Sequence, residues 1–412
     1  MLQCNLENIN TSVVHILLYA DDMVIVAATK ETLQMKIDVA AQFLRQRGLS
    51  INISKSKVMV FKRSGRISKF DSFTWSGQKI EVVKSYTYLG VLFNSSGNFS
   101  QAGAEFIMKG KMAQGAIFSS LKRTKIFNLG TLSKLFDSII KSTTLYAAGV
   151  WGFTQADQLE RVQQLFFKRA MNLPLSTPGY FVRLETGQPH IALDVMKLSL
   201  LMYQRILSSP PSSLLHESYL ALRRVSDKHN IKKYSWCTQL KDALSVLGYG
   251  EVWNKNCADF LFVRRAEILG RLRQTLGDAD VNRARVSKSI PHYLQISNGY
   301  AAEKYLTQNL PAYLVTGICQ VRLNYSIVYN QGKWYNLSMF DSKTCKLCGE
   351  QESFAHLFEC PQLADIKTRI LPPYLPVSNY DDVLKFVHTN LNIAHCKSLY
   401  FFVTTALKRY FD

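Results

Sequence analysis

Several features that define whole classes of proteins are missing from this sequence of 412 residues. No apolar run is long enough to cross a bilayer, which takes about 20 such residues in a helix. The N-terminus does not resemble a signal peptide. The 8 cysteines are scattered, apart from three near the C-terminus, which argues against a disulfide framework and for a reducing compartment. We therefore expect an intracellular protein, in the nucleus or the cytoplasm, that is neither secreted nor embedded in a membrane.

Acidic residues are also in short supply. The chain has 30 Asp and Glu against 50 Lys and Arg, which gives a net charge of +20. An excess of this size usually indicates a polyanionic partner, and nucleic acid is the commonest one. The hydrophobic share of 47% is enough to give each of about two to four compact units a core.

One adjacent pair of acidic residues stands between two apolar runs. Residues 15–28 read His-Ile-Leu-Leu-Tyr-Ala-Asp-Asp-Met-Val-Ile-Val-Ala-Ala. Both runs are rich in strand formers and Asp favours turns, so we predict a β-hairpin, buried on both sides, with Asp21 and Asp22 at its tip. Adjacent carboxylates repel each other unless a cation lies between them, and Mg²⁺ is the usual cation for oxygen ligands. The alternative is an ordinary solvated Asp-Asp turn.

This hairpin and two segments after it together resemble one known family. The Tyr-Ala-Asp-Asp sequence of residues 19–22 is similar to the palm hairpin of reverse transcriptases, and its Ala resembles the non-LTR (LINE-type) retrotransposons. Residues 48–61 are similar to the next palm segment, with Gly-Leu, then Asn, two residues and Lys before an apolar strand. Residues 86–93 resemble the primer-grip hairpin. The three segments occur in the family's order, which makes the resemblance far more specific than any one of them.

The resemblance implies DNA synthesis with Mg²⁺ at the hairpin. It makes Asp21 and Asp22 the metal ligands and Lys55 a candidate proton donor to the leaving pyrophosphate. The nucleic-acid contacts that it implies in this region are Tyr19, Lys57, Tyr88, Leu89 and Gly90. The other basic residues of the polar turns either neutralise template or primer phosphates or form a solvated face; they are Lys62, Arg63, Arg66 and Lys69.

Helical patterns dominate outside the predicted strands. We predict one helix over residues 31–47, capped at Thr29. From residue 101 onward the strand signals stop, and apolar residues recur at helical spacing over 101–122, 131–148, 156–172 and 191–207, with Thr131 and Ser133 at cap positions. The resemblance implies that this region is the thumb, which grips the primer duplex. The alternative is that the apolar and aromatic residues of each stripe simply belong to the hydrophobic core.

Residues 212–335 are predicted to be helical and carry a cluster of arginines. These either follow a nucleic-acid backbone or form a solvated helix face, and the sequence leaves that choice open. The cluster consists of Arg264, Arg265, Arg271, Arg273, Arg283 and Arg285. From 325 to 335 aromatic residues alternate with polar ones, as in an irregular strand or a loop.

A second specific motif near the C-terminus consists of Cys345, Cys348, His356 and Cys360. A Cys-x2-Cys turn followed by Gly points two thiolates at one ion, and His356 and Cys360 share one helix face because they are four residues apart. Such ligands close a tetrahedral Zn²⁺ site, which favours a structural or binding role over hydrolysis. The alternative is buried free cysteines. The spacing resembles the Cys-Cys-His-Cys module of many non-LTR reverse transcriptases, with one residue fewer between the last two ligands than is common there.

Together these predictions describe an α+β chain. It has part of a reverse-transcriptase palm over 1–95, a helical thumb over 96–210, a helical connector over 211–335, and a zinc knuckle with a helical tail over 336–412. In the family, another essential Asp and the fingers precede the hairpin, and neither is found before residue 13. We therefore expect an N-terminally truncated RNA-directed DNA polymerase that does not polymerise alone, with template RNA, target DNA and the missing N-terminal half as partners. The alternative is a nucleic-acid-binding remnant that holds RNA or DNA through the thumb, the arginines and the knuckle.

Overall fold

The computed structural model describes residues 16–62, 72–121, 128–228, 235–288, 290, 293–297, 299–323, 327–330, 333–336, 344–351, 356–373, 382 and 393–411. Helices make up most of these residues, and the strands among them form four small sheets. No helix in these ranges is both long and apolar enough to span a membrane. The chain divides into two compact, discontinuous units: Met1–Lys109, Thr144–Ala156 and Ala192–Leu272 form the first, and Gly110–Thr143, Asp157–Ile191 and Arg273–Asp412 form the second.

The N-terminal part of the first unit combines short strands with one helix. Its elements are β1 (Ile16–Tyr19), β2 (Asp22–Ile25), α1 (Lys30–Gln46), β3 (Lys57–Val58), β4 (Phe73–Trp75), β5 (Gln78–Val82), β6 (Ser85–Tyr88) and β7 (Val91–Asn94). β1 and β2 form one antiparallel hairpin, and β6 and β7 form another. β5 pairs antiparallel with β4 and parallel with β3. This is an α+β arrangement, although the strand after Lys57 is shorter than predicted.

After β7 most of the described residues are helical, and one further hairpin lies among them. The helices are α2 (Ser100–Leu121), α3 (Leu129–Leu135), α4 (Ser142–Thr144), α5 (Ala148–Trp151), α6 (Ala156–Ala170), α7 (Gly179–Thr186), α8 (Ala192–Leu207), α9 (Leu214–Lys228), α10 (Trp236–Val246), α11 (Gly250–Lys255), α12 (Ala258–Arg285), α13 (Tyr293–Ile296), α14 (Lys304–Thr307), α15 (Ala312–Arg322), α16 (His356–Glu359), α17 (Ala364–Ile370) and α18 (Ile393–Phe411). A π-helical stretch, Phe136–Lys141, joins α3 to α4. The remaining strands are β8 (Ile327–Asn330) and β9 (Lys333–Asn336), in the region that the sequence indicates as irregular strand or loop.

α1 begins at its predicted cap and packs on the small sheet. The Thr29 hydroxyl accepts a hydrogen bond from the Thr32 N–H at 3.2 Å, which satisfies one of the donors that every helix start leaves open. The buried side of α1 meets the β3–β5–β4 sheet in a core made of Ile37, Val58, Phe73 and Ile80. Ile25 at the end of β2 joins the edge of this core, so the first hairpin is attached at its base.

Two-residue turns with positive φ at both positions close two hairpins of the first unit, β6–β7 and β4–β5. Leu89 and Gly90 have φ of 46° and 78° between β6 and β7, and Ser76 and Gly77 have φ of 47° and 84° between β4 and β5. Positive φ at both central residues defines the type I′ turn, whose twist matches that of paired strands. The β4–β5 hairpin is not among the predicted elements, although Ser-Gly between two strand-forming runs is a turn signal.

The helix predicted over 131–148 is wrong at both ends. The true cap is Asn128, whose side-chain oxygen accepts a hydrogen bond from the Thr131 N–H at 2.8 Å. Thr131 and Ser133 therefore lie inside the helix, because an equally good capping residue precedes them by one turn. At the other end the helix stops at Thr144, and Ala147 takes a left-handed conformation with φ of 55° before α5 begins.

Charged side chains lie in the core of the second unit. Arg322 donates to both oxygens of Glu185 at 2.7 and 3.1 Å, and its guanidinium lies 2.9 Å from a Glu303 oxygen. The hydroxyls of Tyr293 and Tyr305 each donate to Glu185 at 3.1 Å. All five residues are at most 2% exposed. Burial lowers the pKa of Arg322, but the Glu185 carboxylate more than offsets this, so the pKa lies well above its ordinary value.

A second buried ion-pair cluster is built on the same helix, α7. Arg183 donates to Glu160 at 2.7 Å and to Asp280 at 2.6 Å. His190 lies beside this group, with its Nδ1 3.6 Å from a Glu160 oxygen, and burial lowers the pKa of its imidazole. α7 is not among the helices predicted from the sequence, because prolines punctuate this segment, yet Pro178 stands where the helix begins. Proline is tolerated at a helix start and disfavoured only in its interior.

Candidate functional site

The adjacent acidic residues lie at the tip of the first hairpin, as predicted. Tyr19 is paired with Asp22 across the strands, so Ala20 and Asp21 make the turn. Ala20 has a φ of 51°, a left-handed conformation that is uncommon for a residue with a Cβ and is often found at functional sites. Both carboxylates are exposed and therefore accessible to a cation and to a substrate.

The prediction that this hairpin is buried on both sides is wrong. Leu18 is 74% exposed, Tyr19 64% and Ile16 43%. The physical reason is that β1 pairs with β2 alone among the described strands, so no neighbouring strand covers its outer residues. Only the end of the hairpin at Ile25 reaches the core. The tip is thus presented on an open two-stranded ribbon.

No third metal ligand joins the acidic pair within the described ranges. The only group there of three or more His, Cys, Asp or Glu side chains placed to hold an ion is the C-terminal Cys and His cluster. Two-metal catalysis of nucleotidyl transfer uses several carboxylates to hold ions about 4 Å apart. Asp21 and Asp22 can therefore supply part of such a site, and the described residues do not complete it.

The residues assigned to the basic turn and the primer grip lie near one another. The Lys55 side chain is exposed, and its carbonyl accepts a hydrogen bond from the Tyr86 hydroxyl of β6 at 2.9 Å. Lys57 forms an ion pair with Glu81 at 2.6 Å, which already neutralises its charge. The Leu89 carbonyl at the tip of the β6–β7 hairpin accepts a hydrogen bond from Tyr146 at 3.1 Å. The turn at Lys55 and the β6–β7 hairpin are thus linked through Tyr86, whereas Arg63, Arg66 and Lys69 lie outside the described residues.

Two other residues assigned to the primer grip differ in how far they reach solvent. Tyr88 is half-buried, whereas Gly90 is exposed at the turn. A Cβ at Gly90 would lie 3.6 Å from the ring of Tyr146, an ordinary contact distance. A larger side chain would therefore fit at this position, and the positive φ of the turn, which favours glycine, explains why glycine is there.

The arginines of α12 do not form one basic face. Arg264 and Arg273 are nine residues apart, which is two and a half turns at about 3.6 residues per turn and puts them on opposite sides of the helix. Arg264 is paired with Glu267 at 2.7 Å, and Arg265 donates to Gln204 at the same distance. The set as a whole therefore does not follow one side of the helix, and most of its members are exposed. That any of these arginines contacts nucleic acid stays a prediction.

The C-terminal motif, in contrast, comes together in space. One ligand atom from each of Cys345, Cys348, His356 and Cys360 lies within 4.8 Å of the others. The sulfurs of Cys345 and Cys360 are 4.0 Å apart, close to the separation of about 3.8 Å that a tetrahedral ion with Zn–S bonds of about 2.3 Å imposes. The Cys348 sulfur lies 3.0 Å from His356 Nε2. Three sulfurs and one imidazole are a donor set that Zn²⁺ prefers.

Local backbone geometry explains why these four ligands converge. Gly349 has a φ of 81°, and its N–H donates to the Cys345 carbonyl at 2.8 Å. The turn that this hydrogen bond closes brings the thiols of Cys345 and Cys348 to the same side. The Cys360 N–H donates to the His356 carbonyl at 2.7 Å, so one helical turn aligns these two ligands as the spacing predicts. Burial raises the pKa of the Cys360 thiol, and a bound cation acts in the opposite direction because it binds the thiolate.

Two residues of α18 contact the segments that carry the four ligands. The Tyr410 hydroxyl accepts a hydrogen bond from the Lys346 N–H, inside the Cys-x2-Cys turn, at 3.3 Å. Phe358, between the last two ligands, packs on Phe402 with ring centroids 5.2 Å apart. Neither aromatic could be predicted from the sequence, since a supporting residue about 50 positions away from the motif follows no local pattern.

Comparison with known proteins gives one family match and two relatives. Residues 2–93 match the family described as reverse transcriptase (RNA-dependent DNA polymerase), a range that contains β1 to β6 and most of β7. A putative uncharacterized transposon-derived protein of Caenorhabditis elegans is 28% identical over 140 residues, which are 34% of this chain and 49% of that protein. The retrovirus-related Pol polyprotein from the type-2 retrotransposable element R2DM of Drosophila melanogaster is 28% identical over 172 residues, 40% of this chain and 16% of the polyprotein.

The chain therefore spans about half the length, or less, of the curated relatives that it matches. No solved structure matches it. The family match contains the Tyr-Ala-Asp-Asp hairpin and most of the β6–β7 hairpin, and it ends before the Cys and His cluster. The N-terminal residues thus match a reverse transcriptase domain, and part of the chain is similar to a retrotransposon Pol polyprotein.

Proposed function

We propose that this chain carries the catalytic hairpin of a non-LTR retrotransposon reverse transcriptase, with Asp21 and Asp22 as its Mg²⁺ ligands. The observation that carries this is the Tyr-Ala-Asp-Asp turn, held with a left-handed Ala20 and exposed carboxylates inside the segment that matches the family. When bound, Mg²⁺ ions activate the primer hydroxyl and neutralise the triphosphate. The protein's part is to hold the two carboxylates at a fixed turn, with Lys55 as the candidate proton donor.

We further propose that the hairpin needs a carboxylate from outside the described residues before it can polymerise. Two adjacent side chains on one turn cannot surround two ions, and no third ligand joins them within the described ranges. The missing carboxylate belongs to another segment of the polymerase, and the substrates are an RNA template and a DNA primer.

Primer extension with Mg²⁺ tests the polymerase proposal. The purified chain is compared alone and together with a polypeptide that supplies the fingers and the preceding palm strand of a non-LTR reverse transcriptase. We expect incorporation only in the mixture, and we expect Asp21→Ala to abolish it. Asp259→Ala, which removes an exposed carboxylate in the first turn of α12, is the control and leaves incorporation intact. Equal incorporation by wild type and Asp21→Ala would refute the role of the hairpin.

A second candidate function is nucleic-acid binding without catalysis, supported by the net charge of +20 and by the C-terminal cluster. We propose that the four ligands of this cluster hold a structural Zn²⁺. The set is closed, with four protein ligands and no open position for a substrate, which suits binding and stability better than hydrolysis. The ion would fix the Cys-x2-Cys turn and α16 against α18.

Metal analysis of the purified protein tests the zinc proposal. We expect about one Zn²⁺ per chain, lost in Cys348→Ser and retained in Cys257→Ser, because Cys257 is an exposed free cysteine outside the cluster. A chelator should release the ion and lower the thermal stability of the second unit. Wild-type protein without zinc after purification in zinc-containing buffer would exclude the site.

A salt titration of RNA binding tests the clamp hypothesis, in which the thumb, the arginines and the zinc knuckle hold RNA or DNA. If phosphate contacts dominate, the logarithm of the binding constant falls linearly with the logarithm of the salt concentration, by about 0.7 for each phosphate neutralised on a single strand. We expect a steep slope with wild-type protein. A shallower slope in Cys348→Ser would assign part of the contacts to the knuckle, and a flat slope for wild type would remove the clamp hypothesis.

A further inference from the structure

A second apolar face of α1 points away from the core. Met35 is 60% exposed, Val39 63% and Phe43 51%. The three residues are spaced four apart, so they form one stripe along the helix. The side that packs on the sheet is a different one and holds Ile37 and Ala41. Large exposed apolar side chains in a row, on a helix whose first apolar side is already covered, are typical of a protein–protein contact.

The two ends of this stripe carry opposite charges. One step of four residues before Met35 is Glu31, and one step of four after Phe43 is Arg47. The Arg47 guanidinium lies over the Phe43 ring, 3.6 Å from its centroid, which directs it along the stripe. The row therefore runs from an acid through three apolar residues to a base, with Val39 at its centre.

Such a row is complementary to itself when two copies meet antiparallel. With Val39 opposite the partner's Val39, Glu31 comes beside Arg47 of the partner subunit at both ends. Met35 then faces the partner's Phe43, and methionine sulfur packs well against aromatic rings. Parallel helices would instead place Glu31 against the partner's Glu31 and Arg47 against the partner's Arg47. The order of charges thus selects one orientation.

We propose that this face of α1 is a homodimer interface, in which two copies of the chain pair their α1 helices antiparallel about Val39. The contact is isologous, as most homodimer contacts are, because each copy offers the same surface. The remaining pairs are compatible with it, since Thr32 meets Gln46 and Lys36 meets Gln42, and none of them joins like charges. A depression of about 570 Å³ beside the stripe, lined among others by Gln34, Asp38 and Ser72, has room for side chains of the second copy.

The size of the face sets the strength to expect. The row from Glu31 to Arg47 is about 24 Å long at about 1.5 Å per residue. One helix face of that length buries less than the roughly 800 Å² per partner of a standard interface. The dimer should therefore be weak and depend on concentration and on salt, because its end contacts are exposed ion pairs. The proposal does not depend on polymerase activity or on zinc.

Sedimentation velocity of the full chain over a wide range of concentrations is the first test. We expect the weight-average mass to rise towards twice the monomer mass with wild type, and to stay at the monomer value with Val39→Glu. Val246→Glu is the control, because Val246 is 86% exposed in the same unit and lies off the stripe. A wild type that is monomeric throughout, or a dimer that Val39→Glu leaves unchanged, overturns the proposal.

Charge reversal tests the antiparallel order directly. Glu31→Lys and Arg47→Glu should each weaken association about tenfold, because each brings like charges together at both ends. The double variant should recover the wild-type constant. Mixing the two single variants should give a heterodimer, since both ends then pair opposite charges. Absence of recovery in both the double variant and the mixture overturns the antiparallel order, even if Val39→Glu proves unstable.

Discussion

Removal of the Arg322 guanidinium is the sharpest test of how the second unit is held together. Arg322 is 1% exposed and neutralises Glu185, which is fully buried. It also neutralises Glu303, which is 2% exposed. Arg322→Met keeps an unbranched apolar stem of similar shape but leaves both carboxylates without their cation. Two tyrosine hydroxyls still donate to Glu185, so the hydrogen bonding is reduced and the charge is uncompensated.

The magnitude follows from the cost of a buried, unpaired charge. Breaking a buried ion pair by removing one partner destabilises a protein by about 3–5 kcal/mol. The matched comparison is Arg409→Met, because Arg409 binds Asp365 at 2.6 Å, as short as the 2.7 Å of Arg322 and Glu185. Arg409 and Asp365 are, however, 44% and 63% exposed, and an exposed ion pair contributes little to stability because water screens it. Equal distances with unequal burial isolate the effect of desolvation.

The measurement is urea unfolding followed by circular dichroism, with each variant compared with wild type at pH 7. We expect the urea concentration at which the second unit is half unfolded to fall strongly with Arg322→Met and hardly at all with Arg409→Met. The chain has two units, so the transition should be fitted without assuming two states. Equal, small shifts for the two variants would show that the buried cluster is no stronger than a surface contact and would refute the reasoning.

Three further predictions follow from the described contacts. Burial lowers the pKa of His190, so its imidazole takes up protons more readily when unfolded; stability should fall as the pH drops below about 6.5, and His190→Gln should flatten that part of a pH series of melting temperatures. Gly187 and Gly48 share a φ near 65°, but an added Cβ would lie 2.5 Å from a backbone atom at Gly187 and would contact nothing at Gly48. Denaturant unfolding should show that Gly48→Ala lowers the free energy of unfolding by about 1–2 kcal/mol because of its φ alone. Gly187→Ala should lower it by at least about 2 kcal/mol more because of the added clash. Tyr410→Phe removes the acceptor for the Lys346 N–H and should weaken zinc binding severalfold in a chelator competition, and unchanged affinity would show that this contact does not support the site.

The predictable parts of the fold are those specified by neighbouring residues. The first hairpin, α1 with its Thr29 cap and the hairpin after Ser85 follow from strand alternation, helical spacing and turn residues within short windows. Errors arise where a competing local signal is present, as at Asn128, or where proline punctuation hides a helix, as with α7. The four-part division of the chain stays a prediction.

The buried ion pairs could not be predicted from the sequence at all. In the sequence, Arg183 and Glu185 look like ordinary charged residues of a short helix. Their partners, Asp280 for Arg183 and Arg322 for Glu185, lie about a hundred residues or more further along the chain. Nothing in a local window distinguishes a charge that will be buried from one that will be solvated. The arginines of α12 show the converse, because six close positions in the sequence are spread around the helix by its own periodicity.

The two candidate metal sites differ in how far the described residues complete them, and the difference is one of sequence distance. The four side chains of the proposed zinc site fall within Cys345 to Cys360, so a turn, one helical turn and their docking on α18 are enough to bring them together. The acidic hairpin specifies its own turn in the same local way, but ligands for two magnesium ions must come from more than one strand. A motif read from a sequence therefore specifies a whole site only when the entire donor set is local. For the hairpin it specifies only the two carboxylates of the turn, and the proposed function depends on what supplies the remaining ligands.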